Sequence, residues 1–186
     1  MTDRDIWTLA VAAVTAEFAV LPLAQQTLLA EMSESVKVCK RELHAVLEKV
    51  SAAGVCAACG GECCRTGKYH FTVVELLVYL VERKELFTPR LDQEFCPYLG
   101  ERGCLMAPAY RPFNCVIFNC EQLENQLTPA QKDRLVRLER ELRAVYAGFE
   151  RVFGNRFMGG LLMNCERDII REHAPILRAT VDNTEL

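Results

Sequence analysis

The sequence predicts a mostly α-helical domain in which helices flank a cysteine-rich segment dominated by loop. Three observations predict it. Apolar residues step by three and four along a breaker-poor stretch near the start, two later segments open on helix-capping signals, and eight of the ten cysteines crowd into residues 56–120 among prolines and glycines. At 186 residues the chain is long enough for one domain with its own core and short for two, so residues 1–186 read as a single domain with a cysteine-cluster core at 50–125.

The elements follow in order. From Asp5 to about Ala53 few residues break a helix beyond Pro22, and Leu29, Met32, Val36, Cys39, Leu43, Leu47 and Val50 fall on one helical face. One long helix is expected, ended by Ala53-Gly54, with Cys39 in its apolar stripe as a core residue. Thr72 is a natural N-cap with Glu75 three positions on, a capping box that opens a helix rich in Leu and Val from Val73 to Leu86. Residues 88–120 hold Pro89, Pro97, Gly100, Gly103, Pro108 and Pro112, too many breakers for regular structure. The segment Thr128-Pro129-Ala130-Gln131 combines N-cap, first-turn proline and capping-box glutamine, and predicts a helix to about Phe153 with Gly154 as its stop. Phe157 to Cys165 is apolar around Gly159-Gly160, which makes Cys165 a core residue, and Arg167 to Ala179 reads as a last helix around Pro175.

Composition narrows the function classes. Apolar residues at 51% and charged residues at 25% are those of a globular chain. The net charge is −3 and no run of five Lys or Arg occurs, so no nucleic-acid partner is expected. Asp3, Arg4 and Asp5 contradict a secretion signal, and Glu17 with Pro22 interrupts what would otherwise resemble a membrane span. A cytoplasmic location is therefore expected, and no protein partner is indicated. In a reducing compartment clustered cysteines more often bind metal or do redox chemistry than form structural disulfides.

The first cysteine group reads Cys56-Ala-Ala-Cys59-Gly60-Gly61-Glu62-Cys63-Cys64. Thiolates three positions apart and followed by glycine make a tight knuckle with both sulfurs inward. Adjacent Cys63 and Cys64 do not readily face one point, so one of them serves a second metal, a redox role or the core. The second group adds Cys96, Cys104, Cys115 and Cys120 within Cys96-Pro97-Tyr98-Leu99, Gly103-Cys104, Arg111-Pro112-Phe113-Asn114-Cys115 and Phe118-Asn119-Cys120. A bound metal can contribute roughly 10 kcal/mol to folding, and this loop is the part of the chain that needs it. Sulfur donors alone suit zinc or iron–sulfur and disfavour magnesium, calcium or non-haem iron. His70 reads as an ordinary side chain rather than a ligand, and His44 and His173 carry no signal.

The order and spacing of CAACGGECC, CPYL, GC, RPFNC and FNC resemble the YkgJ-type cysteine-cluster family, the CxxCxxCC domain described as zinc- or iron-chelating. The resemblance covers about residues 50–125. It implies a metal-chelating domain with Cys56, Cys59, Cys63, Cys64, Cys96, Cys104, Cys115 and Cys120 as the family's cysteines and Arg111-Pro112 as its arginine-proline pair. It also points distantly to flagellin lysine N-methyltransferases, relatives that bind an iron–sulfur centre, and on them the expectation tips from zinc toward a four-iron cluster, with zinc as the alternative or as an additional metal. Val116 stands where the family usually carries arginine, and the Cys104 to Arg111 spacing is one residue longer, so the resemblance bears on the site more than on a reaction.

Three functions are compatible with these residues. A binding module would sense or handle metal or redox state, and the lack of a Ser/His/Asp or paired-carboxylate arrangement favours it. An enzyme would use the cluster for methyl or electron transfer, with Arg111 and Tyr110 gripping an anionic or aromatic group. A structural zinc domain would serve protein contacts.

Overall fold

Pro22 divides the first apolar stretch. Helix α1 spans Asp3–Ala19 and α2 spans Leu23–Glu48, so the single helix expected from Asp5 to Ala53 is in fact two. Proline has no amide to return to the Phe18 carbonyl, and its ring crowds that oxygen; the Leu21 amide takes the bond instead at 3.2 Å. In the computed structural model the described residues are 1–60, 64, 66–93, 95–101 and 103–178, with Ala53 described by its backbone only.

A Thr2–Asp5 capping box opens α1. Along α2 the inward positions are Leu29, Ser33, Val36, Lys40, Leu43 and Leu47, while Met32 and Cys39 are half-buried at the edge of that stripe. The helix ends at Glu48 rather than at Gly54. Ser51, in the left-handed region at φ 53°, turns the chain into a short helix α3, Ala52–Ala58, which carries Gly54 in its interior. Helix α4, Val73–Val81, starts on the expected Thr72–Glu75 box and is buried from Val73 through Tyr79. It stops well before Leu86, because the chain turns at Arg83, where φ is 51°.

The long helix α7, Pro129–Phe153, begins on the Thr128–Gln131 box and ends on Gly154 at φ 56°, as its sequence predicts. Helix α8, Leu161–Asn164, continues into a π-helical turn, Cys165–Arg171. The last helix expected from Arg167 to Ala179 therefore starts earlier and closes before Pro175, and Ala179 lies outside the described residues. Asp168, fully buried on that turn, accepts from Arg167 at 2.8 Å, Arg178 at 2.7 Å and Asn155 at 2.9 Å.

Helix α2 is the spine, packed along α7 on one side and α4 on another, and α1 packs against α4 and α8. One buried carboxylate joins three of these pieces. Glu75 accepts from Lys40 Nζ on α2 at 2.7 Å, from the Thr72 amide at 2.7 Å and hydroxyl at 2.6 Å, and from the Tyr146 hydroxyl on α7. A buried charge is tolerated only when paired and bonded in this way. Burial pushes the Lys40 ammonium pKa down, and Glu75 opposes the push.

Two contacts fix the region that leads to the cysteines. At Gly160, φ is 89° and an added Cβ would lie 2.1 Å from the Tyr69 carbonyl oxygen, so only glycine lets this backbone lie against residues 67–71. The next amide, Leu161, donates to the Phe71 carbonyl at 2.6 Å. The Glu17 carboxylate accepts the amides of Ile176 and Leu177 at 3.2 and 2.6 Å, which fastens the C-terminal segment to α1. Among the described residues no helix is long and apolar enough to cross a membrane.

Candidate metal centre

The breakers of residues 88–120 open short elements instead of leaving an unbroken loop. Cys96 and Cys104 are brought together by strands β1, Leu99–Gly100, and β2, Gly103–Cys104, which pair antiparallel with Leu99 opposite Cys104. Gly103, at φ 110°, makes the turn between them. Pro108 opens a 3₁₀ turn through Tyr110, Pro112 precedes helix α5, Phe113–Ile117, which carries Cys115, and Cys120 is the N-cap of helix α6, Glu121–Glu124. Ahead of these, Cys56 lies on α3 and Cys59 is its C-cap, with Gly60 at φ 62° turning the chain away. The C-x2-C pair thus sits on one face of a last helical turn. Cys63 lies outside the described residues.

These separate elements converge on one place. Cys56, Cys59, Cys64, Cys96, Cys104, Cys115 and Cys120 all line a single cavity of about 100 Å³. Cys165 is buried in the core and Cys39 packs against it, as their apolar settings predict. Helix α2 contributes His44 and Leu47 to the cavity wall, and the α5–α6 turn contributes Asn114, Phe118 and Asn119. Among the described residues no three His, Cys, Asp or Glu side chains converge closely enough to hold a metal ion.

The sulfurs differ in what surrounds them. The Cys96 thiol is pulled down to about 7, chiefly by a hydrogen bond from the Cys64 side chain, against burial and with help from the amides of Tyr98 and Leu99. Burial pushes Cys104 up, while Arg111 and the Met106 amide pull the other way. Burial also pushes Cys115 well up, and the neighbouring Cys96 and Cys104 add to it. The Cys59 thiol donates to the Cys56 carbonyl at 3.4 Å, and His70 Nδ1 lies 3.4 Å from the Cys115 sulfur. Burial lowers the His70 pKa, so its imidazole is neutral near pH 7.

Arg111 and Tyr110 part company. The Arg111 Nε donates to the Met106 carbonyl at 3.1 Å, and Nη1 lies 3.3 Å from His44 Nδ1. Burial and the Arg111 charge lower the His44 pKa. Arg111, His44 and Cys104 also line a second, more open cavity of about 470 Å³, so they form a partition between it and the cysteine cavity. Tyr110 instead donates to the Glu82 carboxylate, packs on Tyr79 with centroids 5.0 Å apart, and lines a different groove beside Leu86 and Phe87.

Sequence reading passed over several lining residues. His44 follows Lys40 by four and precedes Leu47 by three, a helical spacing that places all three on one side of α2. His70 precedes the Phe71 that packs on Trp7, and Tyr98 sits directly after Cys96-Pro97. Tyr98 is fully buried, its pKa pushed well up by burial and by Cys115, Glu75 and Cys96 around it. Among the described residues the buried Tyr98 O–H finds no acceptor and the buried Asn119 Oδ1 no donor, and both residues line the cavity. Sulfur donors, amides turned toward two of them and two unsatisfied polar atoms fit a thiophilic, polar guest such as zinc or an iron–sulfur cluster. No family model matches the chain, and no curated protein and no solved structure matches it either.

Proposed function

We infer that the protein binds an iron–sulfur cluster, with zinc as the alternative or additional metal, through its clustered cysteines, and acts in sensing or handling metal or redox state. One observation carries the reading: seven cysteines spread over residues 56–120 line one cavity. A volume of about 100 Å³ is several times the roughly 10–15 Å³ that one water needs, which supports a multi-atom guest over a lone ion. The order and spacing of these cysteines, and their likeness to the YkgJ-type family and its iron–sulfur relatives, support it further. When bound, a four-iron cluster supplies one-electron exchange; the chain supplies sulfur ligands and turns backbone amides toward Cys96 and Cys104.

A second reading rests on the adjoining cavity. Room of about 470 Å³ behind Arg111 and His44 supports an enzyme that brings a small anionic substrate beside the metal. Anaerobic purification with iron, sulfide and zinc analysis tests the first reading. A brown protein with iron and inorganic sulfide is expected; a colourless one with stoichiometric zinc shifts the assignment to zinc, and less than about 0.3 metal equivalents overturns both.

A further inference from the structure

The cavity wall holds a buried hydroxyl whose proton has no acceptor among the described residues. Tyr98 is 0% exposed and its hydroxyl lies near Cys96 and Cys115, yet its proton has no acceptor among the described residues. Other tyrosine hydroxyls in the molecule are used: Tyr146 donates to Glu75 and Tyr110 to Glu82. The Glu75 carboxylate, whose charge is felt at Tyr98, is already engaged by Lys40, Thr72 and Tyr146. A backbone group near the phenol, on Phe71, acts as a donor toward its oxygen, which leaves the O–H proton unspent.

The side chain is held where it stands. The Leu105 amide donates to the Tyr98 carbonyl at 2.8 Å, and the ring packs against Phe87 with centroids 6.0 Å apart. A phenol is a donor at neutral pH. The groups that surround the phenol include the sulfurs of Cys96 and Cys115, and burying a donor without an acceptor is costly.

We propose that the Tyr98 hydroxyl donates a hydrogen bond to a sulfur atom of the group bound in the cysteine cavity, and so sets how readily that group is reduced. The inference rests on reading the cavity as a metal or cluster site. A hydrogen bond to sulfur withdraws electron density and favours the more negatively charged, reduced state, so it raises the reduction potential. On a zinc thiolate the same bond lowers nucleophilicity instead.

Tyr98→Phe keeps the ring and its contact with Phe87 and removes only the donor. Metal and sulfide content are measured first, then the midpoint potential of the anaerobic protein. The expected result is unchanged metal content and a potential lowered by roughly a tenfold change in the reduction equilibrium, 59 mV for a one-electron step. If the metal is zinc, alkylation of the bound thiolates by iodoacetamide is expected to run roughly tenfold faster in the variant. Should Tyr98→Phe fail to keep its metal, a fluorinated tyrosine introduced at position 98 preserves size and strengthens the donor; the potential must then rise, or zinc-thiolate alkylation slow. A loaded variant with unchanged potential and alkylation rate overturns the role of Tyr98 while leaving the metal reading intact. A wild-type protein that holds no metal overturns both.

Discussion

In the helical frame the buried carboxylate of Glu75 meets donors from α2, α7 and the start of α4, and the buried carboxylate of Asp168 meets Arg167, Arg178 and Asn155. In the cysteine-lined region the buried Tyr98 O–H meets no acceptor and the buried Asn119 Oδ1 no donor among the described residues. The frame has unmatched buried atoms of its own, Gln25 Oε1, Ser33 Oγ and Asn164 Oδ1, but it meets each of these two carboxylates with donors from three residues, whereas the unmatched atoms of the cysteine region belong to residues that line its cavity. The contrast extends to secondary structure: α2 and α7 run 26 and 25 residues, while the elements that carry Cys56, Cys104 and Cys115 run 7, 2 and 5. Elements this short have no stability in isolation.

Removing the proposed metal is the strongest way to test that division. Chelation is expected to abolish amide-exchange protection in residues 52–70 and 95–123, at a cost of up to about 10 kcal/mol to that region, while the central amides of α2 and α7 stay protected. Simultaneous loss in both regions would show that the frame does not stand alone. Second in size is Glu75→Ala, which strands Lys40 without its counter-charge in the core. Urea unfolding should show a loss of about 3–5 kcal/mol, alike in loaded and chelated protein. A loss seen only in the loaded form would move Glu75 from the frame to the site.

A pH scan offers a milder probe of the frame. Burial alone would raise the Asp168 pKa, but hydrogen bonds from Arg167 and Asn155 and the charges of Arg167 and Arg178 outweigh it and hold it below the ordinary carboxylate value. A lowered folded pKa means that the stabilisation is complete above about pH 4 and fades as pH falls through the folded value. The urea midpoint of the wild type should accordingly fall more steeply below pH 4 than that of Asp168→Asn; parallel curves would remove Asp168 from the account. The smallest effect separates the two kinds of cysteine. Cys39→Ser should change stability by less than about 1 kcal/mol and leave metal content alone, whereas Cys59→Ser should lose metal and melt earlier. Equal metal loss would erase the distinction.

The capping boxes at Thr72–Glu75 and Thr128–Gln131 were legible in the sequence because each is complete within four residues. The break at Pro22 was obscured by the apolar period, which continues through it: periodicity registers which side chains are greasy and is blind to a missing amide. Gly54 read as a stop, yet Ser51 makes the turn in a conformation that residues with a Cβ seldom adopt. That the cysteines belong together was readable from their crowding in the chain. The presence of His44 at the same cavity was not, since it depends on how α2 crosses the cysteine-bearing turns, and that crossing is set by distant partners on α7 and α4.

The Glu17 clasp on Ile176 and Leu177 joins residues 160 positions apart, and this has a consequence for biosynthesis. The clasp closes only after Leu177 has left the ribosome, whereas Cys120, the last of the cavity cysteines, is made 57 residues earlier. At roughly 5–20 residues per second that interval lasts about 3–11 s, during which all the cavity cysteines exist and the C-terminal fastening does not. Every new copy thus passes through a period in which the cavity cysteines are all present while the C-terminal segment is not yet fastened to α1.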